Sequence, residues 1–347
     1  MTRPWNRGLK AVAILNLLLS TTISARADPE VKVLNGTYAG LHLPEFRQDV
    51  FLGMPYAQDT GGQNRFRTPQ ALNESWAGAW GMLYSVELQD GDIIPNYPSE
   101  LLDTGRFAHV PHLYGTNSDE GTDNAPVGTI NTDEDLRSYL SYETGFGFPD
   151  STVARIMELY PDDPAQGIPL DTGGERFADK GWQYKRVAAI LGDVFYHAPR
   201  RYDAQRYATH AAPTYVYRFN TRGFQGSTAN ASSCANYSAS CLRPAYQGVA
   251  HFTETAFVFA NPTYLGPWPE YRALSDQMSA QWVRFAYDGD PNDGETLPEW
   301  PKYDSQGEEG VNLVLQTEPQ GGSYVERDTY RRPGREYLTQ WARRRHV

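Results

Sequence analysis

Two apolar periods take turns along this sequence, and together they restrict its fold more than any other feature. In VKVLNGTYAGLHLP (31–44) and DVFLGMPYA (49–57), β-branched or aromatic residues alternate with polar ones and are broken by Asn-Gly and Ala-Gly turn signals, which predicts antiparallel strands. TYVYRF (214–219) alternates in the same way, and HVPHLYG (109–115) reads as a short strand that ends at Gly115 and leads into an acidic loop. Elsewhere the period lengthens. Val153, Ile156, Met157 and Tyr160 share one face of a helix predicted over 151–160. Acidic residues that suit a helix dipole open another over 133–142, and an apolar-rich helix is expected over 182–195. A last helix, over 274–287, stops at Asp288-Gly289. Strands interleaved with helices imply an α/β class. Neither a fixed repeat nor a Gly/Ser-rich linker interrupts the chain, which reads as one unit.

Composition narrows the function. With 40% hydrophobic and 13% aromatic residues the 347-residue chain has ample material for a core, while 31 basic against 42 acidic residues give a net charge of -11. Such a balance repels phosphate backbones and anionic lipid, so nucleic acid is not an expected partner. The first residues carry Arg3, Arg7 and Lys10, then an apolar run from Ala11 to Leu19, then small residues at Ala25 and Ala27. That is the layout of a secretory signal peptide over 1–27; its apolar run is too short to span a bilayer, and no other stretch is long enough. A secreted protein without stable membrane insertion is expected. Its two cysteines, Cys234 and Cys241, lie in SSCANYSASC and are expected to form a local disulfide, since two ligands alone cannot fill a metal's tetrahedral shell. Glycan acceptors are expected at Asn35, Asn73, Asn230 and Asn236, each in an Asn-x-Ser/Thr triplet. His109 and His112 could suggest a metal pair, but no third ligand lies at a persuasive spacing; Gly-rich phosphate loops, CxxC pairs and EF-hand patterns are absent too. Neither metal nor cofactor is expected.

A lone His251 in GVAHFTETAFVF (248–259) is by itself more often structural than chemical. Other stretches change its meaning. NGTYAGLHLPEFRQDVFLGMPYAQ (35–58) resembles the amino-terminal sheet of type-B carboxylesterases and lipases, the group that includes the cholinesterases. DGDIIPNYPSELL followed by VPHLYGTNSDEGT is similar to that family's approach to its acidic triad member, and GVAHFTETAFVF to the segment bearing its histidine. LSDQMSAQWVRFAYDGDPN with EWPKYD is similar to its closing helix and following turn. The resemblance implies an α/β-hydrolase fold over 28–347 and hydrolysis of small-molecule or lipid esters by a serine, a histidine and a carboxylate. In that carry-over Glu120 orients the imidazole and His251 takes the nucleophile's proton and returns it to the leaving alcohol. Unaided, Glu120 could equally be a solvated loop acid between Asp119 and Asp123.

The nucleophile is missing. No G-x-S-x-G elbow occurs in the sequence, and the Gly-rich oxyanion segment is absent too. The family pattern is followed to RFRTPQALNESW, ending at Trp76, and resumes near Glu87; AGAWGMLYSV (77–86) stands where relatives carry the central strands, the serine and the oxyanion hole. The expectation is therefore a secreted ester hydrolase by descent, internally shortened near 77–86, with an incomplete central sheet and no activity of its own. Two alternatives stand beside it: a non-catalytic binding or adhesion protein of the same fold, and a hydrolase that recruits Ser85 or Ser118.

Overall fold

The computed structural model describes residues 29–33, 36–39, 41–43, 47–51, 76–77, 97–143, 147–225, 234, 239–296, 298–303 and 310–344. The signal-peptide region, Ser85 and all four glycan acceptors lie outside them. The chain groups into two compact units, residues 1–96 and 97–347.

In the first unit, β1 (Glu30–Val33) and β2 (Gly36–Ala39) pair antiparallel, as do β3 (Leu41–Leu43) and β4 (Gln48–Val50). A two-residue strand, β5 (Trp76–Ala77), runs parallel to β2.

The second unit is built on a sheet of four strands, β6 (His112–Asn117), β7 (Thr214–Phe219), β8 (Val311–Leu315) and β9 (Tyr324–Arg327), paired in chain order. The first three strands are parallel and β9 closes one side antiparallel. Strand β7 is where predicted, and its alternation serves both faces. Tyr215, Tyr217 and Phe219 join the cluster of Phe257, Leu265, Tyr271, Leu274, Met278 and Trp300, while Val216 packs with Ala204 and Tyr303 on the other side. Both sets are buried, as a parallel sheet covered on two faces requires. Strand β6 is paired along one side only, with β7; among the described residues its other side is a sheet edge.

Helices α1 (Pro98–Asp103), α2 (Asp133–Ser138) and α3 (Asp150–Leu159) precede α4 (Tyr184–Gly192). Thr132 caps α2 by accepting from the Asp135 amide, and Asp135 accepts the Thr132 amide in return. Every residue of α4 is buried, and with α2, α3 and the start of α5 (Ala198–Thr209) it forms an all-helical core. Between α4 and α5 the chain does not break. It passes through a π turn, Asp193–His197, in which the Ala198 amide reaches the Asp193 carbonyl. Pro199 has no N–H to offer Phe195, and a local i to i−5 register accommodates that loss without ending the helix. The expected stop near 195 is therefore corrected to one helical run ending at Thr209. Past the sheet come α6 (Thr255–Val258), α7 (Pro262–Leu265) and α8 (Pro269–Asp288). Gly289, at φ 71°, ends α8 at the predicted place. The last helix is α9 (Arg332–Arg344).

Candidate active site

Strand β6 outruns its expected end by two residues, reaching Asn117, and the Ser118 amide still bonds the Phe219 carbonyl at 3.0 Å. The acidic stretch beyond is not a solvated loop. Glu120 starts a tight 3-10 turn, Glu120–Asp123, with Asp119 1% exposed and Glu120 5% exposed. Only Asp123 of the three acids faces solvent. Gly121 permits that burial: a Cβ there would lie 2.0 Å from the Ala188 carbonyl and 2.3 Å from the Gly192 nitrogen of α4. The turn can sit against α4 only without a side chain at that position.

The structure brings Glu120 and His251 together across 131 residues of sequence. Glu120 Oε2 lies 2.6 Å from His251 Nδ1, and Oε1 accepts the Asn117 amide at 2.7 Å. Both carboxylate oxygens are thereby used, one to lock the turn and one to hold the ring. With Nδ1–H donated to Glu120, Nε2 is the nitrogen left for proton transfer. Donating a hydrogen bond to Glu120 raises the imidazole's pKa above its ordinary value; burial opposes this, and the charges of Glu120, Glu254 and Asp123 add to the rise. The His251 side chain stays 46% exposed while its carboxylate partner is 6% exposed, so the imidazole is accessible to solvent and the carboxylate is not.

Several neighbours were not legible as site residues. The Asn117 side-chain amide donates to the Ala250 carbonyl at 2.8 Å and to Glu254 Oε2 at 2.6 Å, tying the end of β6 to both flanks of His251. Tyr196, presented by the π turn, lies with its ring 4.6 Å from the imidazole. Phe252 directly follows His251 at φ 70°, in the left-handed region, and is 69% exposed. Asp119 Oδ2 accepts the Val249 amide at 2.8 Å, on the backbone that leads into His251. A signal existed for Asp119 and Asn117, since both flank Glu120 in NSDEGT; Tyr196 could be found only once Pro199 was seen not to end a helix.

Ser118 is no candidate for the attacking hydroxyl. It is 1% exposed, donates to Asn220 Oδ1 at 2.6 Å and accepts from Arg218 Nη1 at 2.6 Å. His109 and His112 belong to an aromatic patch: His109 stacks on Phe107 at 4.7 Å and bonds the Gly105 carbonyl, and His112 stacks on Tyr207 at 4.1 Å. Among the described residues no three His, Cys, Asp or Glu side chains gather as metal ligands. His197 is fully buried against Thr116, and desolvation holds its pKa well below the usual range, so it stays neutral. The expected disulfide is present, Cys234 to Cys241 with Cα atoms 5.9 Å apart, both residues buried in the α8-side core. Among the described residues no helix is long and apolar enough to cross a membrane.

Comparison with known proteins extends these findings. The family model for the carboxylesterase family matches residues 81–331. The amino-terminal stretch 35–58 lies outside that match. The chain is 31% identical to Lipase 2 of Geotrichum candidum over 227 residues, which covers 65% of this chain and 35% of that protein. It is 28% identical to Secreted lipase 4 of Gibberella zeae over 247 residues, covering 71% and 39%. To Carboxylesterase 1C of Mus musculus it is 26% identical over 238 residues, covering 64% and 38%. The aligned part of the chain thus spans between 35% and 39% of the length of these relatives.

Proposed function

We propose, from the premise that this chain belongs to the carboxylesterase family, that it is a secreted carboxylic-ester hydrolase by descent which keeps two members of a serine–histidine–glutamate triad and lacks the third. The α/β-hydrolase fold comes with the family, and the mixed sheet of the second unit is consistent with an incomplete version of it. Glu120 is the orienting acid and His251 the general base. The observation that carries this reading is the 2.6 Å contact between a buried carboxylate and a half-exposed imidazole, just beyond the carboxyl end of a parallel strand.

A hydroxyl attacking an ester would give its proton to His251 Nε2, and the imidazolium so formed would be stabilised by Glu120 without being deprotonated by it. The same proton would then pass to the departing alcohol. Two parts are wanting for that sequence, the hydroxyl and the pair of amides that would cradle the oxyanion. We place their loss at the shortened stretch near 77–86 of the 28–347 domain, so the chain as it stands turns over no ester. Removal of residues 1–27, glycans at Asn35, Asn73, Asn230 and Asn236, and small-molecule or lipid esters as the ancestral substrates belong to the same proposal.

A chromogenic short-chain ester offered to this chain and to a form with the missing block restored tests the reading. Hydrolysis is expected only from the restored form, with a loss of about 10³-fold or more on His251→Ala or Glu120→Gln. Burst hydrolysis with a trapped acyl adduct in the chain as it stands would overturn it.

A further inference from the structure

The acid loop and the histidine loop meet at a second point besides Glu120 and His251. The Asp119 amide donates to the Val249 carbonyl at 3.0 Å, and Asp119 Oδ2 accepts the Val249 amide at 2.8 Å. Its other oxygen, Oδ1, accepts the Leu170 amide at 2.9 Å. Asp119 stands one residue before the acid and Val249 two before the base. A two-point clamp at that place fixes how far apart the two backbones run and how they are turned.

The clamp is built for a group with two acceptors and no donor. Gly248, at φ 56°, brings the chain so close that a Cβ on it would lie 2.2 Å from Asp119 Oδ2. Asparagine would fill the same volume but would turn an NH₂ against one of the two amides, leaving a buried donor unmet. The carboxylate sits there at a cost. It is 1% exposed, its hydrogen bonds come from backbone amides, and burial raises its pKa to about 7 against the opposing effect of those bonds. A residue costly to bury and hard to replace is placed for geometry.

We propose that Asp119 is the positioning residue of the pair: it sets the Glu120 to His251 separation through the backbone of Val249, with no contact to the imidazole. The inference rests on the reading of that pair as an acid–base couple. It assigns to Asp119 the tightness of the Glu120 hydrogen bond, and so the basicity of His251.

Nitrogen-15 NMR titration of the His251 ring in the full chain, assigned by loss of the signal in His251→Gln, reads this without needing turnover. Wild type is expected to titrate above the ordinary imidazole range, and Glu120→Gln to bring it down. Asp119→Asn should remove most of the upward displacement, and Asp119→Glu, which keeps the charge but lengthens the arm, should do the same. If Asp119→Glu leaves the His251 titration as in wild type, the effect is one of charge and the proposal falls. If neither Asp119 variant moves it while Glu120→Gln does, Asp119 is merely structural and the proposal falls alone. If Glu120→Gln also leaves it unmoved, the acid–base reading falls first.

Should the variants fail to fold, the wild-type protein decides. The amides of Val249 and Leu170 should report the Asp119 titration, and the His251 nitrogens should show an inflection at the same pH. Asp171, Lys185, Arg331, Tyr184 and Tyr330 are the charged or titratable groups whose fields reach Asp119, and Glu120 is its chain neighbour. Asp119 accepts both reporting amides, so its titration would move them together. An amide inflection without a matching one on His251 would overturn the proposal.

Discussion

Asp328 shows how far one side chain can organise a fold. It is 2% exposed and meets Arg200 at 2.7 Å, Arg335 at 2.9 Å and Arg201 at 3.5 Å, with the Tyr303 hydroxyl at 3.1 Å. Those arginines come from α5 and α9, so one carboxylate joins both helices to the turn after β9. Asp328→Asn keeps the volume and strands buried cations, for which an uncompensated charge costs about 3–5 kcal/mol; the expected result is a denaturation midpoint lowered at unchanged slope. The arginines hold the Asp328 pKa far below the carboxylate range, outweighing burial. A depressed acid stabilises above its unfolded value, about 3.9, and loses that contribution as pH falls through its folded value. Asp119 has the opposite sign: its folded pKa of about 7 means its contribution weakens as pH rises from the unfolded value toward 7. Asp328→Asn should therefore flatten the acid limb of the stability profile, and Asp119→Asn should leave that limb in place.

At the scale of elements, the contact between the 3-10 turn at 120–123 and α4 positions the site as surely as any side chain does. Gly121→Ala would drive a methyl into the Ala188 carbonyl and the Gly192 nitrogen, at a cost of about 1–3 kcal/mol for a tight interior that must shift. The expected reading is a lower melting temperature together with a His251 pKa closer to that of free imidazole, since the turn carries Glu120 with it. Elements with a clear period were legible in the sequence: β7 residue for residue, α3 to within a residue at each end, and the stop of α8 at Gly289. Those that broke a local rule were not. Pro199 masked the run into α5, and the Pro-Gly pair at the start of α9 reads as a breaker although an amphipathic helix follows it. Strand β9 carries YVER, mostly exposed at a sheet edge, so little apolar signal marks it. At the site, Glu120 and His251 came from resemblance. Their supports could not be reached that way, because Asp119 acts through backbone amides and Tyr196 through a π turn.

For the whole molecule, what matters is the flank of β6 that no strand pairs with among the described residues. The aligned chain spans little more than a third of the length of the relatives it matches. The outward amides and carbonyls of β6 have no neighbouring strand among the described residues. Self-association should follow collision kinetics: light-scattering growth in dilute solution is expected to accelerate with the square of protein concentration, and a rate independent of concentration would count against it. A ragged margin of this kind turns a gap in strand pairing into a colloidal property. The practical lifetime of the protein in solution would then be governed by crowding, a dilute sample outlasting a concentrated one.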